Sequence, residues 1–497
     1  MWKPCAATSR ISDIHPLLLK VFLHNLQSLI LLSLHCNVAE SAIFFVCNEE
    51  KLEVIWKGEK VIVHSWRNIA QYLTSSNNQN NLTDAMEELM YYVWQQRMFK
   101  SIATLDGNPI EIIHPGLRNH NAGPDFFNAK VRIDGLYWCG NVEMHLKASD
   151  WYRHNHQNDR AYDSVILHVV MQADAIVTLH DGTQVKTVVM HIPDDVMARH
   201  RELLSGNAHS YIRCAPRLGE LSNIQLHDWL TSLCTQRMIE KTKRVRDLVD
   251  DKLFGWREAF YVVLTRSLGT GVNSDAMERL ARSLPLSCIL HHKDNLLQIE
   301  AMLLGQANLI QLATMGEPDR CKLLEREYAF LKQKFQLTPL PLSVWMLGRV
   351  RPHAQPYIRL KALAALLWTH QDLFNEVIEA KSLETLYRIF SIRGLGSQTA
   401  RNLVINAVVP ILIGYAQWQG DDERCEEALT MLEQIPAEDN RYIQEWIAQG
   451  IPVRSAFDSQ ALLHLSRTYC EHHLCMHCRW GCWFVRNASA PCTTDKN

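Results

Sequence analysis

Asp125 and Glu143 are the two carboxylates that this sequence sets up for chemistry. Asp125 follows the run His114-Pro115-Gly116-Leu117-Arg118-Asn119-His120-Asn121-Ala122-Gly123-Pro124, whose Gly, Pro and Asn shape a loop that delivers the acid to the start of a strand. Glu143 lies in Tyr137–Lys147, where Trp138, Val142, Met144 and Leu146 fall on one face of a strand and Asn141, Glu143, His145 and Lys147 on the other. Carboxylates on neighbouring strand ends form a hard, oxygen-rich site for Mg2+, and such an ion stabilises charge developing on a phosphodiester. His145 could act as general base with a pKa near the working pH, leaving Lys147 to meet phosphate. The competing reading of the same alternation is the polar face of a half-buried sheet.

A second constellation follows in Ser149-Asp150-Trp151-Tyr152-Arg153-His154-Asn155-His156 and onward to His168. His154, His156, Asp159 and His168 combine imidazole with carboxylate, a donor set for a transition metal, although their spacing matches no standard zinc pattern. The more economical role for them is to line the same cleft as Glu143. Near the C-terminus, Cys470, Cys475, Cys478 and Cys482 surround a Cys-x2-Cys kernel that can hold Zn2+ or an iron–sulfur cluster, with Cys482 the candidate fourth ligand. Reduced surface thiols beside a frayed end are the alternative.

Basic residues recur locally. Arg237, Lys241, Lys243, Arg244 and Arg246 share one helical stretch, and Arg349, Arg351, Arg359 and Lys361 surround Pro352 and Pro356. The first could be a solvated helix face or a contact for a nucleic-acid backbone, and the second a phosphate surface or a capped loop. The segment Ile392-Arg393-Gly394-Leu395-Gly396-Ser397 resembles the hairpin of a helix-hairpin-helix DNA-binding motif, in which Gly394 and Gly396 would free backbone N–H groups to meet phosphate. A tight turn between two helices asks for the same glycines.

The elements that must position these residues follow from periodicity. Glu87-Glu88-Leu89-Met90-Tyr91-Tyr92-Val93-Trp94 opens a helix, with acids in its first turn and Leu89, Val93 and Trp94 at helical spacing. Strands are expected at Ile110–His114, Ala129–Ile133, Tyr137–Lys147, Val165–Val170 and Val185–Ile192. From Ser222 the pattern turns helical, with helices expected at Ile224–Asp247, Trp256–Leu268, Ser274–Ser283, Leu297–Leu312, Arg320–Phe335, Tyr357–Thr369, Leu383–Phe390, Thr399–Gln417 and Glu423–Glu433. Residues after Trp483 are expected to be disordered. The division is then a poorly defined extension (1–85), an α/β module (86–195), a helical region (196–465) and a Cys-rich tail (466–497).

The apolar run 16–34 is interrupted by Lys20, His24, Asn25 and Gln27, which favours an amphipathic helix or untranslated sequence over a membrane span. A strand pair is expected at Leu52–Trp56 and Lys60–His64, and a boundary at the polar cluster 75–81. Met86 is the expected physiological start. With 51 Lys and Arg against 53 Asp and Glu, no whole-chain field announces a partner, so any basic surface is local. The 14 Cys are scattered apart from the C-terminal group, which fits a reducing, cytoplasmic location and argues against a disulfide scaffold.

The order helix, strand, Pro124-Asp125, strand, then Glu143 on the next strand is similar to the core of the PD-(D/E)XK nuclease superfamily. That resemblance implies a restriction-endonuclease-like mixed sheet, with Asp125 and Glu143 as Mg2+ ligands and Glu87 or Glu88 as the acid on the opening helix. Where the family has its lysine, this chain has His145, with Lys147 two residues further on. The substitution leaves open a catalytic His145 or a loss of turnover. Some members of that superfamily carry an iron–sulfur cluster that ties their ends together. From Met86 to Gly481 the chain also resembles an uncharacterised bacterial domain-of-unknown-function family of Bacteroidetes type. That likeness rests on the blocks at 123–135, 140–159, 162–170, 299–307, 351–360 and 405–410. Three functions follow as expectations: a Mg2+-dependent nuclease or phosphodiesterase, a non-catalytic nucleic-acid-binding or scaffold protein, and an unrelated hydrolase using the His-rich loop.

Overall fold

The computed structural model describes residues 84–99, 102–206, 210–250, 255–348 and 350–488, together with the backbone of three N-terminal strands. Those three, β1 (Phe44–Cys47), β2 (Leu52–Trp56) and β3 (Glu59–Val63), form an antiparallel sheet that contains the expected pair. The apolar run 16–34 and the polar cluster 75–81 lie outside the described residues.

The second sheet builds the module. Its strands are β4 (Ile102–Ala103), β5 (Pro109–His114), β6 (Leu117–Arg118), β7 (Phe126–Ile133), β8 (Leu136–Lys147), β9 (Val165–Gln172) and β10 (Thr187–Val189). They run in the order β10-β9-β8-β7-β5-β4, with β6 paired to β7. β5, β7 and β8 are antiparallel, whereas β8–β9 and β9–β10 are parallel. A bridge between Thr104 and Val188 brings the two edges together, so the sheet nearly closes on itself. Sequence reasoning gave five of these strands and missed the short β4 and β6, each two residues long and without a period to read.

Local chemistry explains the strand geometry. Asp134 and Gly135, with φ of 50° and 75°, make the two-residue turn that joins β7 to β8 with Ile133 opposite Leu136. Gly140 lets β8 approach β9 closely, since a Cβ there would sit 2.4 Å from Ile166 Cγ2 and 2.8 Å from the Ser164 carbonyl. Val142 and Met144 of β8, Leu167 and Val169 of β9, and Leu89, Val93 and Trp94 of the opening helix (84–96) pack into one core. On the opposite face a smaller apolar cluster of Ala148, Trp151, Tyr162, Val165 and Val170 closes over the polar side of β8. Both faces are therefore covered, and Glu143 and His145 are buried rather than half-solvated.

The remainder is helical, as the periodicity expects. Trp256–Leu268 and Ser274–Ser283 fall where their patterns place them, and Asn223–Asp250 runs slightly longer. The expected helix at Leu297–Leu312 breaks into Leu296–Gln306 and Ile310–Ala313, because Asn308 turns left-handed with φ of 58°. The expected helix at Thr399–Gln417 carries a π turn over Val404–Val408 just before Pro410, whose missing N–H breaks the regular ladder. Residues 397–419 are long and apolar enough to cross a membrane, but 78% of the most apolar window is buried in the protein, as for a core helix. The disorder expected after Trp483 does not hold through Arg486: the helix Arg479–Arg486 buries Trp480, Phe484 and Val485 against the rest of the chain.

Candidate metal and acid site

β8 and β9 hold the site, and their parallel register places Glu143 opposite His168 and His145 opposite Val170. The chain then leaves β8 through a short helix, Asp150–Arg153, and two 3-10 turns, returning His154 and His156 over the same face. The result is a cluster in which His145, His154 and His156 offer nitrogens all within 4.8 Å of one another. Nε2 of His145 lies 3.1 Å from Nδ1 of His154. Oε1 of Glu143 lies 3.2 Å from Nε2 of His156 and 3.6 Å from Nε2 of His145.

Nε2 of His156 is buried and makes no hydrogen bond, even though Glu143 stands beside it. A buried polar atom without a partner costs stability unless something else meets it. His145 is fixed from behind by His168, whose Nε2 is 2.9 Å from Nδ1 of His145. His156 stacks on Tyr162 with ring centroids 3.9 Å apart, and Trp151 packs edge-on against both His156 and Tyr162. His145 and His156 thus sit buried beside aromatic rings, whereas His154 is exposed. Burial and the neighbouring rings hold His145 neutral, with its pKa down to about 2, and burial takes His168 to about 3.

Asp125 lies against this cluster at the start of β7. Its backbone N–H donates to Oε2 of Glu143 at 3.1 Å, and its Oδ2 accepts the Met144 N–H at 3.0 Å. Arg118 donates to Oδ1 of Asp125 at 3.0 Å while its guanidinium lies 3.5 Å from the centre of the Tyr91 ring. Burial, and then the Asp125 charge, push the Glu143 carboxyl up to about 9. The same two causes raise Glu87 to about 7. Glu88 is engaged elsewhere, 3.0 Å from Nε2 of His477 and 3.6 Å from Arg118.

The structure therefore brings together Asp125, Glu143, His145, His154, His156 and His168, all singled out in the sequence. It does not bring in Lys147, which is exposed, or Asp159, whose carboxylate caps the Ala161 N–H at 2.9 Å. Arg118, the cation that holds Asp125, was not picked out, since nothing in its loop context marks it as a partner of a residue seven positions on.

A family described as "Protein of unknown function (DUF2851)" matches residues 87–395 and 392–441. The chain belongs to this family. No curated protein and no solved structure matches. The DUF2851 match includes every residue of the Asp125–His168 site and ends before Cys470.

Other candidates in this DUF2851 chain separate in space. Arg393, Gly394 and Gly396 lie exposed in a turn between the helices Leu383–Ile389 and Ser397–Leu403, with Gly394 at φ of 96°. Arg351 is exposed, Arg359 is buried, Lys361 donates to the Ala313 carbonyl at 2.6 Å, and Arg349 lies outside the described residues. The helical stretch of cations divides: Lys243 and Arg246 are exposed, whereas Arg237, Lys241 and Arg244 line a cavity of about 620 Å3 with Arg266, Arg441 and Arg467. Both π turns of the helical region reach this cavity, through Asn406 and Arg467. Cys470, Cys475 and Cys478 line a separate small pocket, joined by Cys214, while Cys482 turns its Sγ to the Met476 carbonyl at 3.0 Å.

Proposed function

We propose that this protein is a divalent-metal-dependent phosphodiester hydrolase acting on nucleic acid, with Glu143, His145, His154 and His156 holding the metal. The observation that carries the reading is the spacing of four donor atoms, 3.1, 3.2 and 3.6 Å apart along three edges, around an otherwise unpartnered His156 nitrogen. Metal bonds of ~2.1 Å in tetrahedral array put ligand atoms ~3.4 Å apart, and the three imidazoles, with nitrogens all within 4.8 Å of one another, could close on a single ion with the Glu143 carboxyl beside two of them. Three imidazoles and one carboxylate suit Zn2+ or Mn2+ better than the Mg2+ expected for carboxylates alone. Such an ion, when bound, polarises a phosphoryl oxygen and lowers the pKa of its water.

The protein's own groups have distinct tasks. His168 orients His145, and Trp151 and Tyr162 exclude water from the ring face. Arg118 keeps Asp125 fixed beside Glu143 and opposes the rise that burial gives its carboxyl pKa. Glu87, poised at about 7, is the group able to take or give a proton near neutral pH. The order of elements also supports the reading: opening helix, β5, Asp125 leading β7, Glu143 on β8, a helical crossover, then β9 parallel to β8 follows the order that the superfamily resemblance implies. The edge contact between Thr104 and Val188 is an addition to it. The cavity ringed by Arg237, Lys241, Arg244, Arg441 and Arg467 supplies a cationic surface for a phosphate backbone.

The test is incubation of the purified chain with single- and double-stranded DNA and RNA in Mn2+, Zn2+, Mg2+ or chelator. Cleavage that needs a divalent ion and is lost in Asp125→Ala, Glu143→Ala and His156→Ala supports the reading. Binding without metal-dependent cleavage overturns it in favour of a non-catalytic nucleic-acid-binding role.

A further inference from the structure

We propose that Cys214, Cys470, Cys475 and Cys478 are the four thiolate ligands of an iron–sulfur cluster, with Cys214 in the place that sequence spacing gives to Cys482. The four side chains line one pocket, closed by Leu203, Tyr469 and Leu474. They arrive from three parts of the chain: Cys214 just ahead of the turn Ala215–Glu220, Cys470 at the end of the π turn Leu465–Cys470, and Cys475 and Cys478 flanking the turn that leads into Arg479–Arg486. All four are free thiols. Cys482 is directed away, its Sγ donating to the Met476 carbonyl.

The backbone around the pocket is built for thiolate. Cys478 precedes the first residue of the helix Arg479–Arg486, a position where the free backbone N–H groups of a helix start favour a metal-bound sulfur. Gly481 is required by closeness: a Cβ there would stand 2.1 Å from the Cys475 carbonyl oxygen. Arg213 lines the same pocket and offsets accumulated negative charge.

Spacing selects the kind of metal. A lone Zn2+ with Zn–S bonds of ~2.3 Å draws its sulfurs to within ~3.8 Å of one another. Among the described residues the donor atoms that lie mutually within 4.8 Å are those of His145, His154 and His156, so the cysteine sulfurs are spread more widely than one zinc ion requires. A cluster of several irons bridges a wider ring of thiolates. Its position gives it a structural consequence. The segment it would anchor also meets the opening helix through His477 and Glu88, and the helix Asp194–Ser205 through Arg199 and the Val485 carbonyl at 2.7 Å. The cluster would tie residue 214 and the C-terminal segment together beside the helix that carries Glu87.

The experiment is metal and acid-labile sulfide analysis of the full chain purified without oxygen, and again after reconstitution with ferrous iron and sulfide. The expected result is a brown protein with several irons and matching sulfide per chain, colour and iron lost in Cys214→Ser and retained in Cys482→Ser. A colourless wild-type chain that takes up no iron and sulfide, or one that holds Zn2+ at this pocket instead, overturns the proposal. So does loss of the cluster in Cys482→Ser with retention in Cys214→Ser. Wild-type metal content decides the matter even if Cys214→Ser does not fold, and nuclease activity plays no part in the readout.

Discussion

Oε1 of Glu143 lies 3.2 Å from Nε2 of His156, and the second oxygen of the same carboxyl accepts the Asp125 backbone N–H at 3.1 Å. One side chain therefore joins the acid pair to the imidazole cluster. Replacing either partner removes a direct ligand. Glu143→Gln and His156→Ala are each expected to weaken Zn2+ and Mn2+ binding by more than the ~10–100-fold typical of an indirect partner. Competition with a chromogenic chelator measures this, and unchanged affinity in both variants would remove the metal from this site.

His168 makes no proposed bond to metal, yet it holds Nδ1 of His145 at 2.9 Å. His168→Ala is expected to lower metal affinity by ~10–100-fold while leaving the ligand set intact. A titration that shows no loss would mean that the His145 ring is held by packing alone.

Arg118 compensates the buried Asp125 carboxylate and also lies over Tyr91. Arg118→Met leaves that carboxylate unpaired and is expected to destabilise the fold by about 3 kcal/mol, measured by urea unfolding. Adding Asp125→Asn is expected to recover part of the loss, and strict additivity of the two would contradict the pairing.

Lys241 is half-buried, donating to Asn406 at 2.7 Å and to Gln460 at 2.6 Å, with desolvation and then Arg237 lowering its pKa from 10.5 to about 7. A depressed pKa means that the unfolded chain binds a proton that the folded chain lacks. Its contribution to stability is therefore complete above pH 10.5 and is lost as the pH falls through about 7. Lys241→Met is expected to flatten that part of the stability–pH profile, and an unchanged slope would assign it to other groups.

Much of this was legible in the sequence, for identifiable reasons. The period-2 alternation of β8 gave the face shared by Glu143 and His145, and the dense Gly, Pro and Asn loop gave Asp125. Helical periodicity gave most of the helical region. What stayed hidden depended on contacts between distant segments. Spacing counts only neighbours along the chain, so it favoured Cys482 and gave no sign of Cys214, which reaches the pocket through the fold. Lys147 shares its strand parity with Glu143 but lies where β8 ends and emerges into solvent. The closing of β10 onto β4 rests on a short bridge with no pattern of its own.

The central claim is that Glu143, His145, His154 and His156 form a working metal centre beside Asp125. The most direct measurement is nucleic-acid cleavage by metal-stripped protein titrated with Mn2+ or Zn2+, wild type against His156→Ala. The expected result is cleavage that appears with about one ion per site in the wild type and is absent in the variant. Equal activity in the two proteins, or none in the wild type at saturating metal on any of the four nucleic acids, would contradict it.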